Sequence, residues 1–216
     1  CIRDSMYAMN NVEIRACGGF GGSQGLISVT DGQMSIGEFV PRIGLSEDEA
    51  VESVDEEDEA LFGNHSNLYN SGNTYSPDWP RNSQCVAALW KSQYGQDVDG
   101  VIGIDPVFLQ YLLGLVGNVS LPDGTVVDGT NAAKVLMHDV YWNYPVEESD
   151  GIFASVASAA FDKVLGGIGD VDVTKLVSAV ERGAEEGRLI AWMRNDDEQN
   201  AIKETGIDAS LPDPDD

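Results

Sequence analysis

Apolar residues recur along the chain in two rhythms. Alternating or continuous short runs predict strands. Met6 to Met9 is one, and Asp99 to Asp105, with Val101, Ile102 and Ile104, reads as a buried strand. Gln24 to Thr30 and Gln33 to Val40 read as a hairpin turning at Asp31-Gly32, with Leu26, Ile27, Val29, Met34, Ile36 and Phe39 as its apolar positions. Asn118 to Val127 reads as a second hairpin, turning at Pro122-Asp123-Gly124, and Arg188 to Met193 as a short apolar strand.

The three-to-four rhythm predicts helices. One runs from Asp78, a capping residue with Pro80 in the first turn, to about Tyr94, with Val86, Leu89 and Trp90 on its apolar side. A second starts at Asp105-Pro106, with Phe108, Leu109, Leu112, Leu113 and Val116 facing a core. Further helices are predicted over Asn131 to Asn143 (Val135, Leu136, Val140, Tyr141), Asp150 to Leu165, Val173 to Glu186 (Leu176, Val177, Val180) and Asp196 to Thr205. Gly166, Gly167 and Gly169 separate two of them. Ser46 to Glu59 is a charge run that predicts a solvated short helix or loop. Leu61 to Ser76 is amide-rich without periodicity and predicts a long loop, the kind that often carries function. Strands and helices interleave, so the predicted class is α/β: a mixed central sheet flanked by helices in a single domain over residues 1–211, with 212–216 a disordered tail.

Asn10 to Gly25 stands out from both rhythms. It places Asn10, Asn11, Glu13 and Arg15 within six residues, then glycines at 18, 19, 21, 22 and 25. In an extended segment Glu13 and Arg15 would point one way, and Val12 and Ile14 the other, into a core. Two readings stay open: a polar site at a strand end closed by a glycine loop, or a structural Glu13–Arg15 ion pair beside a tight bend.

Composition narrows the function classes. Twelve basic residues face 37 acidic ones, a net charge of −25 in 216 residues. Such a field repels nucleic acid and anionic membrane, so no nucleic-acid partner is expected. The acidity reads as solubility in a salty or acidic exterior; a calcium role for the acidic run or for Asp97 to Gly100 would need ligands that their spacing does not supply. No run is long enough to span a membrane, and no signal peptide opens the chain. It begins inside a predicted strand, as a trimmed ectodomain would. No C-x-x-C is present, and His65 and His138 lie in unrelated contexts, which disfavours a metal centre of that kind. A phosphate-binding G-x-x-x-x-G-K-[ST] loop and a G-x-S-x-G elbow are missing. The glycine run leads into a strand rather than a helix, unlike a dinucleotide fingerprint.

Three motifs carry a resemblance. They are N-x-x-E-x-R-x-x-G-G-x-x-G-S at Asn10 to Ser23, S-P-D-W-P at Ser76 to Pro80, and D-G-V-I-G-I-D-P at Asp99 to Pro106, which continues to V-G-N-V-S-L-P-D-G. Together they resemble the DUF4012 family of bacterial surface proteins, from about Tyr7 to Leu211. The resemblance implies the extracellular side of a bacterial membrane, with an anchor upstream of this sequence. The segment from Val101 to Val119 is also similar in layout to one in the LytR–CpsA–Psr proteins, surface phosphotransferases that move glycopolymers from a polyprenyl-pyrophosphate carrier to the cell wall.

Two function hypotheses follow. In the first, a phosphotransferase-like domain handles a polyprenyl-pyrophosphate glycopolymer. Arg15, Glu13 and Asp78 are the catalytic candidates, Arg15 gripping pyrophosphate and Glu13 or Asp78 acting as base or as ligand to a bridging Mg²⁺. Asn10, Asn11, Asn73, Arg81, Gly18, Gly19 and Ser23 complete the candidate ligand-binding set. In the second, a noncatalytic module binds cell-wall glycan or a protein partner, Glu13–Arg15 is structural, and Tyr69, Tyr75 and Trp79 form the contact surface. Of Cys1, Cys17 and Cys85, Cys17 sits next to the glycines of the first motif and Cys85 on the predicted helix after the second. A shared site would bring them together and make Cys17–Cys85 the natural disulfide, the alternative being free thiols.

Overall fold

The computed structural model describes residues 2–31, 33–37, 39–41, 44–166 and 171–212. Its frame is a mixed sheet. β1 (Ile2–Asn10) lies at the centre, antiparallel to β2 (Phe20–Thr30) and parallel to β5 (Gly100–Ile104). β3 (Gln33–Ile36) and β4 (Val40–Pro41) both pair with β2, and β8 (Leu189–Met193) pairs with β5, giving the order β3-β2-β1-β5-β8. β6 (Val119–Ser120) and β7 (Val126–Val127) form a separate small hairpin at the expected turn. Thus the α/β expectation with a mixed sheet holds. Of the expected Asp31-Gly32 turn, Asp31 adopts φ 53° and Gly32 lies outside the described residues, as do Cys1, Gly167, Gly169 and the tail from Asp213.

Helices cover both faces of the sheet. On one face Tyr7 and Met9 pack against α3 (Trp79–Tyr94) through Trp79, Val86 and Trp90. On the other, Met6, Ala8 and Ile104 pack against α4 (Pro106–Val116) and α7 (Val146–Gly166). Alternation along β1 thus sends successive side chains to two different cores. α3 and α4 start where the sequence predicts. Asp78 accepts a hydrogen bond from the Arg81 N–H, and Asp105 accepts from the N–H groups of Val107 and Phe108 and from Arg188 at 2.9 Å.

The acidic and amide-rich stretch is more ordered than expected. α1 (Glu56–Phe62) is capped by Asp55, and α2 (His65–Leu68) and a 3₁₀ turn at Asn70–Gly72 follow. Beyond α4 and the small hairpin, α5 (Ala132–Lys134) runs through a π-helical turn at Val135–Asp139 into α6 (Val140–Asn143). α8 (Val173–Glu185) packs through Ala179 and Gly183. Val177 and Val180, expected on its core face, are exposed, because the face that meets α4 is one step round the helix. α9 (Asp196–Thr205) closes the outer edge of β8. The Met193 N–H donates to Gln199 and the Ala191 N–H to the Ile207 carbonyl, which removes two free edge donors.

Three carboxylates meet where β1, β5 and α9 converge. Burial first, then Asp99 and Glu198, push the Asp4 carboxyl up from 3.8 to about 6. The folded state therefore holds this proton more tightly than the unfolded chain does. Its stabilising contribution is complete below pH ~4 and is lost as pH rises through about 6. Asp4→Asn should raise stability by about 1 kcal/mol at pH 8, after discounting for solvent screening, and leave it unchanged at pH 4. Urea titrations at the two pH values check this, and an equal effect at both would contradict it.

Candidate functional site

β1 ends at Asn10, beside the C-terminal end of the parallel strand β5, the edge at which open α/β sheets tend to place ligands. Residues 11–19 do not continue the strand. The Asn10 carbonyl accepts from the Glu13 N–H, and its side-chain oxygen accepts from the Val12 N–H at 3.2 Å, an Asx-type turn that breaks the alternation. Val12 and Ile14 are consequently 54% and 86% exposed, not in a core as the extended reading expects. The turn is closed by the Phe20 N–H to the Glu13 carbonyl, and pinned to the amide-rich segment by the Cys17 N–H to the Thr74 carbonyl. Gly18 and Gly19 adopt φ +70° and +132°. Their part in the site is conformational.

Glu13 and Arg15 part company in this turn. The Glu13 carboxylate accepts from Asn10 Nδ2 at 3.3 Å and from the Tyr141 hydroxyl at 3.2 Å, while Asn10 Nδ2 also reaches the Tyr141 oxygen at 2.5 Å. Tyr141 lies two residues past the π-helical turn, which rotates it from the expected core face out to the site. Arg15 goes elsewhere. Its guanidinium lies 5.0 Å from the Tyr75 ring centroid and 5.4 Å from that of Phe20, and Nη1 donates to the Ile14 carbonyl. Its Nε is buried without a partner, and no carboxylate among the described residues lies within ion-pair distance of it. The structural Glu13–Arg15 ion pair is therefore not formed.

The other candidates divide among separate settings. Asp78 caps α3 and faces Arg81 at 3.9 Å, and Arg81 also meets Asp55 at 3.2 Å and Asp58 at 3.6 Å. Arg81 is thus held by three carboxylates and is not available beside Arg15 for an anion. Asn73 is wholly buried with both side-chain polar atoms unpartnered, and the Asn11 side-chain oxygen is likewise buried and unpartnered. Ser23, 1% exposed, lines a cavity of about 20 Å³ with Asn10, Leu136, Tyr141 and Phe153, and its hydroxyl has no protein partner. That volume suits one water molecule rather than a prenyl chain. Glu13 and Asp78 are each committed to other partners, and no group of three or more His, Cys, Asp or Glu side chains among the described residues is arranged to hold a metal ion. The residues present do not fit a shared Mg²⁺.

Cys17 and Cys85 are both buried and free, which corrects the disulfide expectation. The Cys17 thiol lies against Asn82 of α3, whereas the Cys85 thiol, itself on α3, lies against the Val54 backbone, so the two have different surroundings. Burial pushes them up to about 11 and about 12, the range of inert thiols. Trp79, expected on a contact surface, is 0% exposed and belongs to the core. Phe20 and Tyr141 are site residues that pattern reasoning misses. Phe20 sits inside a glycine run and Tyr141 inside a helical period, so neither carries a local signal.

The assembled feature is a half-buried cation on an aromatic bed, with an amide–carboxylate–phenol cluster on the same turn. It can hold an anion at Arg15 through charge-assisted hydrogen bonds. Among the described residues, no serine, threonine or cysteine nucleophile is hydrogen-bonded to a base at this turn.

Comparison with known proteins places the fold. The structure is similar to protein gbs0355 of Streptococcus agalactiae, with a TM-score of 0.55 at 10% identity, covering 96% of this chain and 73% of that one. It is also similar to a transcriptional regulator from Enterococcus faecalis (TM-score 0.46, 12% identity, 96% and 72% covered) and to the transcriptional regulator yvhJ of Bacillus subtilis (0.44, 9%, 99% and 78%). At these identities the likeness is one of fold, and only the first is close enough to bear on it. No curated protein matches the sequence. The family profile described as protein of unknown function, DUF4012, matches residues 5–141, more than half of the 216. With its Asn10-to-Ser23 turn, its Asp78 cap and its β5–Asp105 junction all inside that match, the chain belongs to the DUF4012 family.

Proposed function

We propose that this domain works at the bacterial cell surface and binds a phosphate-bearing glycopolymer, either carried on polyprenyl pyrophosphate or already part of the wall. Arg15 grips the phosphate. The observation that carries this reading is the state of Arg15: half-buried, stacked over Tyr75 and Phe20, with Nε unpartnered and no carboxylate among the described residues within ion-pair distance. In a chain of net charge −25, a guanidinium left without an acid is a place where an anion can gain a charge-assisted contact. The overall negative field does not prevent this, since repulsion from distant carboxylates is screened beyond about 8 Å at physiological ionic strength. The similarity in layout to the LytR–CpsA–Psr proteins and the acidity suited to an exterior support the compartment and the ligand class.

Binding is better supported than transfer. Glu13 is spent on Asn10 and Tyr141, and Asp78 on a helix cap and Arg81, so neither stands free as base or metal ligand. The test is calorimetric titration of inorganic pyrophosphate into the wild-type domain and into Arg15→Ala. Loss of a charge-assisted contact worth about 1.5–3 kcal/mol should weaken binding roughly ten- to hundredfold. Arg15→Lys should rescue little, because an ammonium does not reproduce the planar stack. A folded wild-type domain that ignores millimolar-range pyrophosphate would sink the reading.

A further inference from the structure

The aromatic bed under Arg15 does not stop at Tyr75. The His65 ring lies 6.0 Å from Tyr75 and 6.4 Å from Tyr69, and Phe62 stacks on Tyr75 at 6.4 Å with 16° between the planes. His65 and Tyr69 are exposed, whereas Tyr75 and Phe62 are half-buried. The rings therefore form a row that leaves the cation and runs out over the surface.

Backbone contacts hold this row in place. Tyr69 is clamped from both sides: its own N–H bonds the His65 carbonyl, and its backbone bridges to Gly44, while the Leu45 N–H bonds the Leu68 carbonyl. A side chain on Gly44 would come within 3.0 Å of the Tyr69 ring, so the bare backbone presses on it. The Ser66 hydroxyl ties α2 to the Gly72 carbonyl. These contacts fix the backbone that carries the rings, so little main-chain freedom is lost on binding.

We infer that the row Tyr75–His65–Tyr69 is the subsite for neutral sugar residues that follow the phosphate held by Arg15, so that the polymer lies in one direction from Arg15 toward Tyr69. Sugar rings offer an apolar C–H face that stacks on an aromatic face, with hydroxyls at the rim for a phenol or an imidazole. The planes tilt by 50° from Tyr75 to His65 and by 36° from His65 to Tyr69, so successive faces turn along the row. Among the described residues, no lysine or arginine other than Arg15 lies over these rings, which fits an uncharged moiety rather than a second phosphate. Nucleobases would stack as well, but they come with a phosphate per residue, which this surface does not answer.

This inference rests on the glycopolymer reading, and the two fail separately. The probes are inorganic pyrophosphate and a panel of neutral tetrasaccharides built on glucose, galactose and N-acetylglucosamine, followed by tyrosine fluorescence and by NMR shifts of the aromatic protons. At least one tetrasaccharide should bind wild type and shift the Tyr69 and His65 ring signals. The double variant His65→Ala, Tyr69→Ala should bind it roughly tenfold more weakly and bind pyrophosphate unchanged. Arg15→Ala should show the reverse pattern, and Tyr69→Phe should stay within about twofold of wild type. If the double variant does not fold, the wild-type ring shifts decide. Overturning results are that no tetrasaccharide in the panel binds, that one binds without moving these rings, or that the double variant binds as well as wild type. Loss of pyrophosphate binding alone would count against the Arg15 reading and leave the sugar row standing.

Discussion

Trp79→Ala should destabilise the domain by about 4 kcal/mol, a large share of the 5–15 kcal/mol typical of a folded domain. The indole is wholly buried between the two central strands and α3. It tilts against Tyr7 with ring centroids 6.0 Å apart, and its far edge reaches over Gly103 of β5. A side chain at Gly103 would stand 3.0 Å from Trp79 Cη2, 2.9 Å from Met9 and 2.8 Å from Ile190, so β5 accepts the indole because position 103 is bare. Truncation would leave a cavity that the sheet cannot close, since its strands are fixed by pairing on both sides. The backbone of Trp79 also donates to the Ala209 carbonyl, so disturbance there reaches the segment after α9. Urea unfolding followed by far-ultraviolet circular dichroism measures the loss. Trp79→Phe should cost about half as much, because a smaller ring still fills most of the volume. A cost below about 1.5 kcal/mol for the alanine variant would mean that α3 is held chiefly elsewhere.

The fold was legible where local chemistry and tertiary packing agree. Asp78 before Trp79-Pro80 and Asp105 before Pro106 announce helix starts, and both cap as read. β5 is legible because it is buried on both faces and so forms a continuous apolar run. The site was less legible. Val12-Glu13-Ile14-Arg15 alternates as a strand does, yet the Asn10 side chain captures the Val12 N–H and turns the chain before a strand can form. With the strand gone, Glu13 and Arg15 no longer share a side. Tyr141 fails for a different reason. Its place in a 3.6-residue period is upset by the π-helical turn just before it, which a periodicity count cannot see. Asn70, Asn73 and Thr74 read as loop surface but are wholly buried, because the turns between α2 and α3 fold onto β2 rather than out into solvent. Arg15 and Tyr75 were both visible as candidates. Their contact was not, since they lie sixty residues apart and meet only because Cys17 and Thr74 bond through their backbones.

Gly19→Ala is expected to do more damage than its size suggests, and more than Gly18→Ala beside it. Both glycines have positive φ, so any side chain strains the backbone at either place. The difference lies in what the new methyl group meets. At Gly18 it would run into the Met9 sulfur at 2.3 Å, the far part of a flexible side chain that can swing aside. At Gly19 it would stand 2.3 Å from the Asn10 carbonyl oxygen and 2.7 Å from Asn11 Cα, which are backbone atoms at the end of β1 and cannot yield without moving the turn. Gly18→Ala should therefore cost about 1–2 kcal/mol and Gly19→Ala about 3 kcal/mol or more. The turn that would move is the one that lays Arg15 on Phe20 and Tyr75. Pyrophosphate affinity should thus fall at least about tenfold in Gly19→Ala under conditions where the protein remains folded, and by less in Gly18→Ala. Parallel measurement of unfolding free energy and pyrophosphate affinity in the two variants separates lost stability from lost placement. Equal effects in both would show that φ alone matters at this turn. A Gly19→Ala protein that keeps full affinity would show that Arg15 finds its aromatic bed without the help of the turn.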